Sequence, residues 1–205
     1  MDFSQPENQQ YIVVGLGNPG RGYRSNRHNF GFMVVDNLSK EINIRLGRLQ
    51  SRALVGNGVY AGKRILLAKP QTFMNLSGQS VRSLVNYYKI PLGNLLIVHD
   101  DLDLPFGTLR IRPGGGSGGQ RGLASTIEQL GTQDFPRLRL GIGRPPGRME
   151  AANYVLENFT DSEEVISKQV IDQARQAVLS FVGEGLSMAM NKYNGSVTNE
   201  IASDH

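Results

Sequence analysis

The sequence predicts a single α/β domain, a mixed central β-sheet flanked by helices on both faces. Short apolar runs of strand length alternate along the chain with segments whose apolar residues recur at helical spacing, the signature of a sheet buried under helices. Two strand-like segments, Ala53–Tyr60 and residues 64–68, are separated by a short stretch containing Gly62 and read as a hairpin, which makes the sheet mixed rather than wholly parallel. A length of 205 residues suits one domain, long enough to bury roughly 70% of the surface its unfolded chain exposes. The domain is placed at residues 1–195, with residues 196–205 as a flexible tail.

The elements follow in order. Residues 11–14 are an apolar run that breaks into Gly15-Leu16-Gly17-Asn18-Pro19-Gly20, a buried strand entering a tight loop. Phe30, Val34, Val35, Leu38 and Ile42 mark an amphipathic helix, and the hairpin comes next. After Pro70, the positions Val81, Leu84, Val85 and Tyr88 keep helical spacing. Residues 95–98 are a fully apolar core strand ending at His99-Asp100-Asp101. Residues 107–112 alternate as a strand and lead into the glycine cluster at 114–119. Leu123, Ile127 and Leu130 describe a helix closed by Gly131. Residues 138–142 are another strand, followed by a loop with Pro145, Pro146 and Gly147. Thr160-Asp161-Ser162-Glu163 has the capping-box pattern and opens a helix with Ile166, Val170, Ala174, Val178 and Phe181 on one face.

Composition narrows the function classes. The chain has no cysteine, which excludes disulfides and thiolate metal sites and fits a reducing compartment. The expected location is the cytoplasm, or an organelle stroma if a transit peptide has been removed. The longest apolar runs fall far short of the roughly 20 residues of a membrane span, and the first ten residues lack the features of a secretory signal. Three scattered histidines without an H-E-x-x-H pattern give no support for a metal or other cofactor. Charge is polarised along the chain. Residues 1–149 hold 19 Lys/Arg against 9 Asp/Glu, whereas residues 150–205 hold 3 against 9. Either the first three quarters bind an anionic partner, or the basic residues are a solvated surface.

Two familiar motifs fail on context. Gly15–Gly20 spells G-x-G-x-x-G after a strand, but the dinucleotide fingerprint needs a helix opening at the loop. Here Pro19 lies inside the motif and the following residues, 21–27, show no apolar period. Residues 115–119 spell G-x-S-x-G around Ser117, yet a nucleophile elbow needs a histidine downstream. The only later histidine is His205, at the chain end.

Polar residues that end apolar strands or open helices are better candidates. Asn18 follows the first strand, Asn75 sits at a helix entry, Asp100 ends the central strand, and His28 lies just ahead of a helix. Ligands of α/β folds bind where strand ends meet loops. A histidine near its ordinary pKa of about 6.5 takes a proton from water at neutral pH. A carboxylate on its other ring nitrogen fixes the tautomer, and carboxamides supply uncharged donors to a developing oxyanion. The same residues also serve as ordinary loop and turn formers. Residue chemistry alone therefore reaches a hydrolase-like polar cleft beside a basic surface. His99 faces away from Asp100 on the strand and reads as structural.

Five ordered motifs go further. Val14-Gly15-Leu16-Gly17-Asn18-Pro19-Gly20, Asn26-Arg27-His28-Asn29, residues 69–78 (KPQTFMNLSG), residues 99–105 (HDDLDLP) and residues 137–143 (RLRLGIG) resemble the bacterial-type peptidyl-tRNA hydrolase family, over about residues 11–193. The resemblance implies that His28 is the base that activates water against the ester of peptidyl-tRNA and that Asp100 holds it in its basic form. By the same resemblance Asn18 distinguishes an N-blocked peptidyl group from a free amine. Asn75 binds the substrate near the scissile carbonyl, and Tyr23, Phe73 and Met74 line the pocket for peptide and terminal adenosine. Arg112 and Arg139, with Arg110 nearby, fall where the family places a clamp for the tRNA 5′-phosphate. Residues 114–119 resemble its gate and 143–149 its lid, where Arg144 and Arg148 add phosphate contacts.

The chain departs from the family pattern at one point. Where many members carry His-Asn, it has Gln120-Arg121. The usual asparagine contact is thereby replaced, and Arg121 at a helix start suits a phosphate of the terminal CCA. The departure keeps a second class open, a catalytically altered relative that serves RNA splicing by binding a protein partner. A dinucleotide oxidoreductase is a third, which binding of NAD would reveal. With no heptad stripe or other self-complementary apolar face, a monomer is expected.

Overall fold

The computed structural model describes residues 9–197. Among them the strands form one eight-stranded sheet in the order β2-β3-β4-β1-β5-β7-β6-β8. Its centre is parallel: β1 (Gln10–Gly15) lies between β4 (Lys63–Pro70) and β5 (Leu95–Asp101), and β5 pairs with β7 (Arg137–Gly141). Antiparallel strands close both sides. β3 (Ala53–Tyr60) joins β4 to β2 (Arg48–Gln50), while β6 (Thr108–Arg112) joins β7 to β8 (Gly195–Ser196). The sheet is mixed, as the hairpin requires. That hairpin turns through Ala61 and Gly62, both at positive φ (49° and 74°) between the paired Tyr60 and Lys63, the backbone a tight two-residue turn demands.

Helices cover both faces. α1 (Phe30–Glu41), α5 (Asp161–Glu184) and α6 (Leu186–Tyr193) lie on one, where Phe30, Val34, Leu38, Val178 and Phe181 meet Val13, Leu67 and Val98 of the strands. α2 (Ser77–Tyr88) and α3 (Arg121–Leu130) lie on the other, over Ile12, Val14, Leu66 and Ile97. Each fully buried aliphatic side chain of these two cores contributes about 1.5–3 kcal/mol. The capping box forms: the Thr160 amide donates to Glu163 Oε2 at 2.8 Å.

The apparent dinucleotide motif has a packing explanation. A Cβ on Gly15 would sit 2.2 Å from the Gly31 carbonyl oxygen, and one on Gly31 would sit 2.3 Å from that of Val98. Gly15 therefore lets α1 pack directly on the strand ends. The loop after β1 runs into a 3-10 turn, Arg21–Tyr23, and α1 opens only at Phe30, so the helix does not open directly from the motif as the dinucleotide fingerprint requires.

Four short or terminal elements escaped the sequence pattern: β2, α4 (Ala151–Tyr154), α6 and β8. β8 also corrects the expected tail boundary. Ser196 pairs with Thr108, and the Val197 amide donates to Gly107 O at 2.9 Å with its side chain buried. Residues 198–205 lie outside the described residues. None of the described helices is long and apolar enough to cross a membrane.

Candidate active site

The parallel strands β1, β4 and β5 deliver their carboxyl ends to one edge of the sheet, where a cleft of about 520 Å³ opens. Asn18 enters it from the loop after β1, Phe73, Met74 and Asn75 from the segment after β4, and Asp100 from β5. His28 comes from the 3-10 turn Arg27–Asn29, and Gln120 and Arg121 from the start of α3.

His28 and Asp100 are paired: His28 Nδ1 lies 2.8 Å from Asp100 Oδ2, and both residues are buried. An ionised carboxylate only accepts, so the proton is on Nδ1 and the Nε2 lone pair faces the cleft. Burial pulls the imidazole pKa down, and the Arg121 charge adds to that pull. The charge and hydrogen bond of Asp100 outweigh both, so His28 stands above its ordinary value. Burial likewise pushes Asp100 up, but the charge and hydrogen bond of His28, with a hydrogen bond from Gln120, hold it below the usual carboxylate range. The pair couples an imidazole to an ionised carboxylate that fixes its tautomer.

The carboxamide of Asn18 has only one orientation. Its Oδ1 accepts from the Met74 amide at 3.0 Å, and an amide N–H only donates, so Nδ2 is the donor end, without a partner among the described residues. Asn29, almost fully buried, fixes the same loop: its Oδ1 accepts from the Asn18 amide at 2.8 Å and its Nδ2 donates to Asn18 O at 2.9 Å. Asn75 is exposed at the cleft wall. Phe73 is 66% exposed there, an unsatisfied apolar ring beside a polar cleft, which is how aromatic ligand platforms look.

A second cavity, of about 510 Å³, adjoins the cleft through the glycine loop and is lined by His99, Asp101, Arg112, Arg137 and Arg139. In the β6–β7 register Arg110 faces Arg139 and Arg112 faces Arg137. Opposed residues, and residues two apart, share a sheet face, so the four arginines form a block on the α2–α3 side. Like charges in register repel. Arg139 is partly compensated, its Nε bonded to Asp101 Oδ2 at 2.6 Å with the terminal nitrogens left over. Arg137 is 1% exposed, stacks on Phe135 at 4.4 Å, and donates to the carbonyls of Phe135 and Gln133 at 3.0 and 2.7 Å and to that of Gly115. Burial, then the Arg139 charge, lower its pKa to about 10.

A family model described as peptidyl-tRNA hydrolase matches residues 12–201 of this chain. The chain belongs to that family. It is 46% identical over 185 residues to the peptidyl-tRNA hydrolase of Caldanaerobacter subterraneus subsp. tengcongensis, covering 90% of this chain and all of that one. The chloroplastic peptidyl-tRNA hydrolase of Arabidopsis thaliana is 47% identical over 192 residues, 93% of this chain and 67% of that protein. Among solved structures, the peptidyl-tRNA hydrolase of Acinetobacter baumannii superposes with a TM-score of 0.84 at 35% identity, covering 90% of this chain and 95% of that one.

Of the residues expected at a peptidyl-tRNA hydrolase site, the cleft gathers His28, Asp100, Asn18, Asn75, Phe73, Met74 and Arg121. Arg112 and Arg139 line the adjoining cavity. Tyr23, in the Arg21–Tyr23 turn, is exposed and is not among the residues that line the cleft. Arg144, expected as a free phosphate contact, is ion-paired with Asp103. The glycine loop, which resembles the family's gate, is tied down at one end by Arg137 and by the Gly115 amide, which donates to Gln133 O at 3.2 Å. His99 is fully buried and bonds the Asp100 carbonyl through Nδ1 at 2.8 Å.

Sequence reasoning missed Arg27, Asn29 and Arg137. Arg27 is 3% exposed, pairs with Glu163 Oε2 at 2.6 Å, donates to Asn158 O and stacks over Tyr154 and Phe159 at 4.5 and 5.2 Å. The His28 amide donates to Val155 O at 2.8 Å and the Arg27 amide to Glu157 O at 3.0 Å, so the turn carrying His28 is fastened to residues 155–158. The one sequence signal was their adjacency to His28 and Arg139, which does not distinguish a bolt from a spare surface cation.

Proposed function

We propose that the chain hydrolyses the ester joining an N-blocked peptide to the 3′-terminal ribose of tRNA, with His28 as general base. The observation that carries the reading is the buried His28–Asp100 pair at 2.8 Å in the cleft of a peptidyl-tRNA hydrolase family member. Water bonded to His28 Nε2 attacks the ester carbonyl carbon, and its proton passes to Nε2. Asp100 accepts from Nδ1–H throughout and stabilises the imidazolium. When the tetrahedral intermediate collapses, the ribose oxygen leaves and takes the proton back from Nε2, giving a peptide acid and a tRNA with a free terminal hydroxyl. The exposed amide of Asn75 supplies a donor near the carbonyl oxygen.

Asn18 supports the selectivity for blocked substrates. Its free Nδ2 offers a neutral donor to the first peptide carbonyl, which an unblocked aminoacyl ester does not possess, and the free amine of that ester would bring a charge without a partner. Phe73 and Met74 offer an apolar wall for the peptide or the terminal adenosine. The partly uncompensated block of Arg112 and Arg139 suits the tRNA 5′-phosphate, which a guanidinium fork binds in two-point fashion. Arg121, exposed and without a partner in the described residues, suits a phosphate of the CCA end. The chain is proposed to act as a monomer in the cytoplasm or a stroma. The intact His28–Asp100 pair favours the enzyme over the splicing-type binding module.

The decisive measurement is hydrolysis of an N-acetylated aminoacyl-tRNA by the wild-type protein and by His28→Ala, with the unblocked ester alongside. Cleavage confined to the blocked ester and largely lost in the variant is the expected result. A folded wild-type protein that binds tRNA and cleaves neither ester would overturn the enzyme reading.

A further inference from the structure

We propose that Gln120 is a positioning residue for the general base, acting through Asp100 as a hydrogen-bond donor that does not titrate. Its kinetic consequences rest on the hydrolase reading above; its effect on His28 does not. Asp100 is 2% exposed, so both carboxylate oxygens need partners from the protein. Oδ2 takes His28 Nδ1, and Oδ1 takes Gln120 Nε2 at 3.1 Å. The orientation of the Gln120 carboxamide is not arbitrary. Its Oε1 accepts from the Leu123 amide at 2.7 Å as the N-cap of α3, which leaves Nε2 as the end that meets Asp100 and, at 3.4 Å, Met74 Sδ.

One side chain thus ties the carboxylate to the first turn of α3. Held at Oδ1, Asp100 does not rotate about its terminal torsion, which is otherwise broad, so Oδ2 stays aimed at His28. Around the pair the charged and titratable groups are His99 and Asp101 from the strand of Asp100, Arg121 from α3, and Glu150 on the cleft wall. A histidine in the place of Gln120 would add a further titrating group to this set. The glutamine keeps the donor and removes that proton equilibrium.

The donor also draws charge from Asp100, and its loss has a definite sign. Without it Asp100 becomes a stronger acceptor from His28 Nδ1–H, and the imidazolium is stabilised. The His28 pKa therefore rises, and the acid limb of kcat/KM moves to higher pH.

The test uses Gln120→Asn and Gln120→Met. Asparagine is a favoured N-cap but is one methylene too short to reach Asp100 while it caps Leu123; methionine loses both bonds. The His28 ring is titrated by NMR in the full-length free protein, with His28→Ala for assignment, and pH profiles are measured with N-acetylated aminoacyl-tRNA. In both variants the His28 titration and the acid limb move up by about half a unit. At pH 7 kcat falls about ten-fold while KM is unchanged. Gln120→Met, which also loses the helix cap, loses more thermal stability than Gln120→Asn. A Gln120→Asn protein whose titration and profile overlay the wild type would overturn the proposal and leave Gln120 a helix cap. A shift in the NMR titration of a protein that hydrolyses nothing would support the positioning role and remove the hydrolase reading instead.

Discussion

The cleft and the arginine block sit on neighbouring strands and solve opposite problems. In the cleft every buried polar atom of the His28–Asp100–Gln120 chain has a partner, so its atoms are fixed and its charges compensate each other. In the block, four guanidiniums share one sheet face, and among the described residues Asp101 is the only carboxylate bonded to any of them. A reacting group needs a defined position and protonation state, which a saturated network supplies. An anion site needs charge left unspent, at some cost in stability before the ligand arrives. The same sheet supports both because neighbouring residues of β5 point to opposite faces: Asp100 serves the cleft with His28, and Asp101 meets Arg139.

The comparison is broken most severely at His28. His28→Ala is expected to lower kcat by about 10³- to 10⁴-fold in a single-turnover assay, with tRNA affinity by filter binding unchanged. Asp100→Asn keeps the shape but loses the ionised acceptor, and is expected to cost about 10²- to 10³-fold in kcat. An Asp100→Asn protein as active as the wild type would show that the pair is structural.

Arg27→Met tests how firmly the base is bolted down. It leaves Glu163 without its ion-pair partner, and a loss of about 3 kcal/mol is expected in urea unfolding. That corresponds to a fall of about 6–12 °C in Tm for a domain of this size. The arginine block should respond in the other currency. Arg112→Ala and Arg139→Ala are each expected to raise KM about ten-fold with kcat preserved. The salt dependence of tRNA binding should lose about one phosphate contact per substitution. Equal slopes before and after would detach these residues from the RNA.

The smallest effect is the response of the wild type to pH. His28 stands above 6.5 because Asp100 outweighs burial, so the neutral base is depleted as pH falls through that raised value, and kcat/KM should decline on an acid limb lying above pH 6.5. Stability runs the other way. The protonated, paired His28 contributes stabilisation that is complete below the unfolded value and is lost as pH rises through the folded one.

Much of the site was legible because it lies where chemistry interrupts a simple pattern. Asp100 ends an otherwise apolar strand, Asn18 follows one, and His28 stands just before an apolar helical period. Tyr23 stands apart from the cleft lining, and an aromatic in a motif says nothing about which way a 3-10 turn lays its ring. Arg27, Asn29 and Arg137 were invisible as functional parts because their partners lie in another segment. For Arg27 the partner Glu163 is in α5, and for Arg137 the key carbonyl is in the glycine loop.

By itself, then, the sequence determined the α/β class, the mixed sheet, the element order, the polarised charge and the polar residues that interrupt the apolar pattern at strand ends and helix starts, because periodicity, turn chemistry and polar interruptions are local properties. Tertiary structure alone decided that Gln120 reaches Asp100, that Asn18 turns its Nδ2 outward, that Arg139 is half spent on Asp101, and that the last strand extends past Gly195. Each depends on register and on which atoms the packed chain leaves without water, and a buried polar atom takes whatever partner the fold delivers.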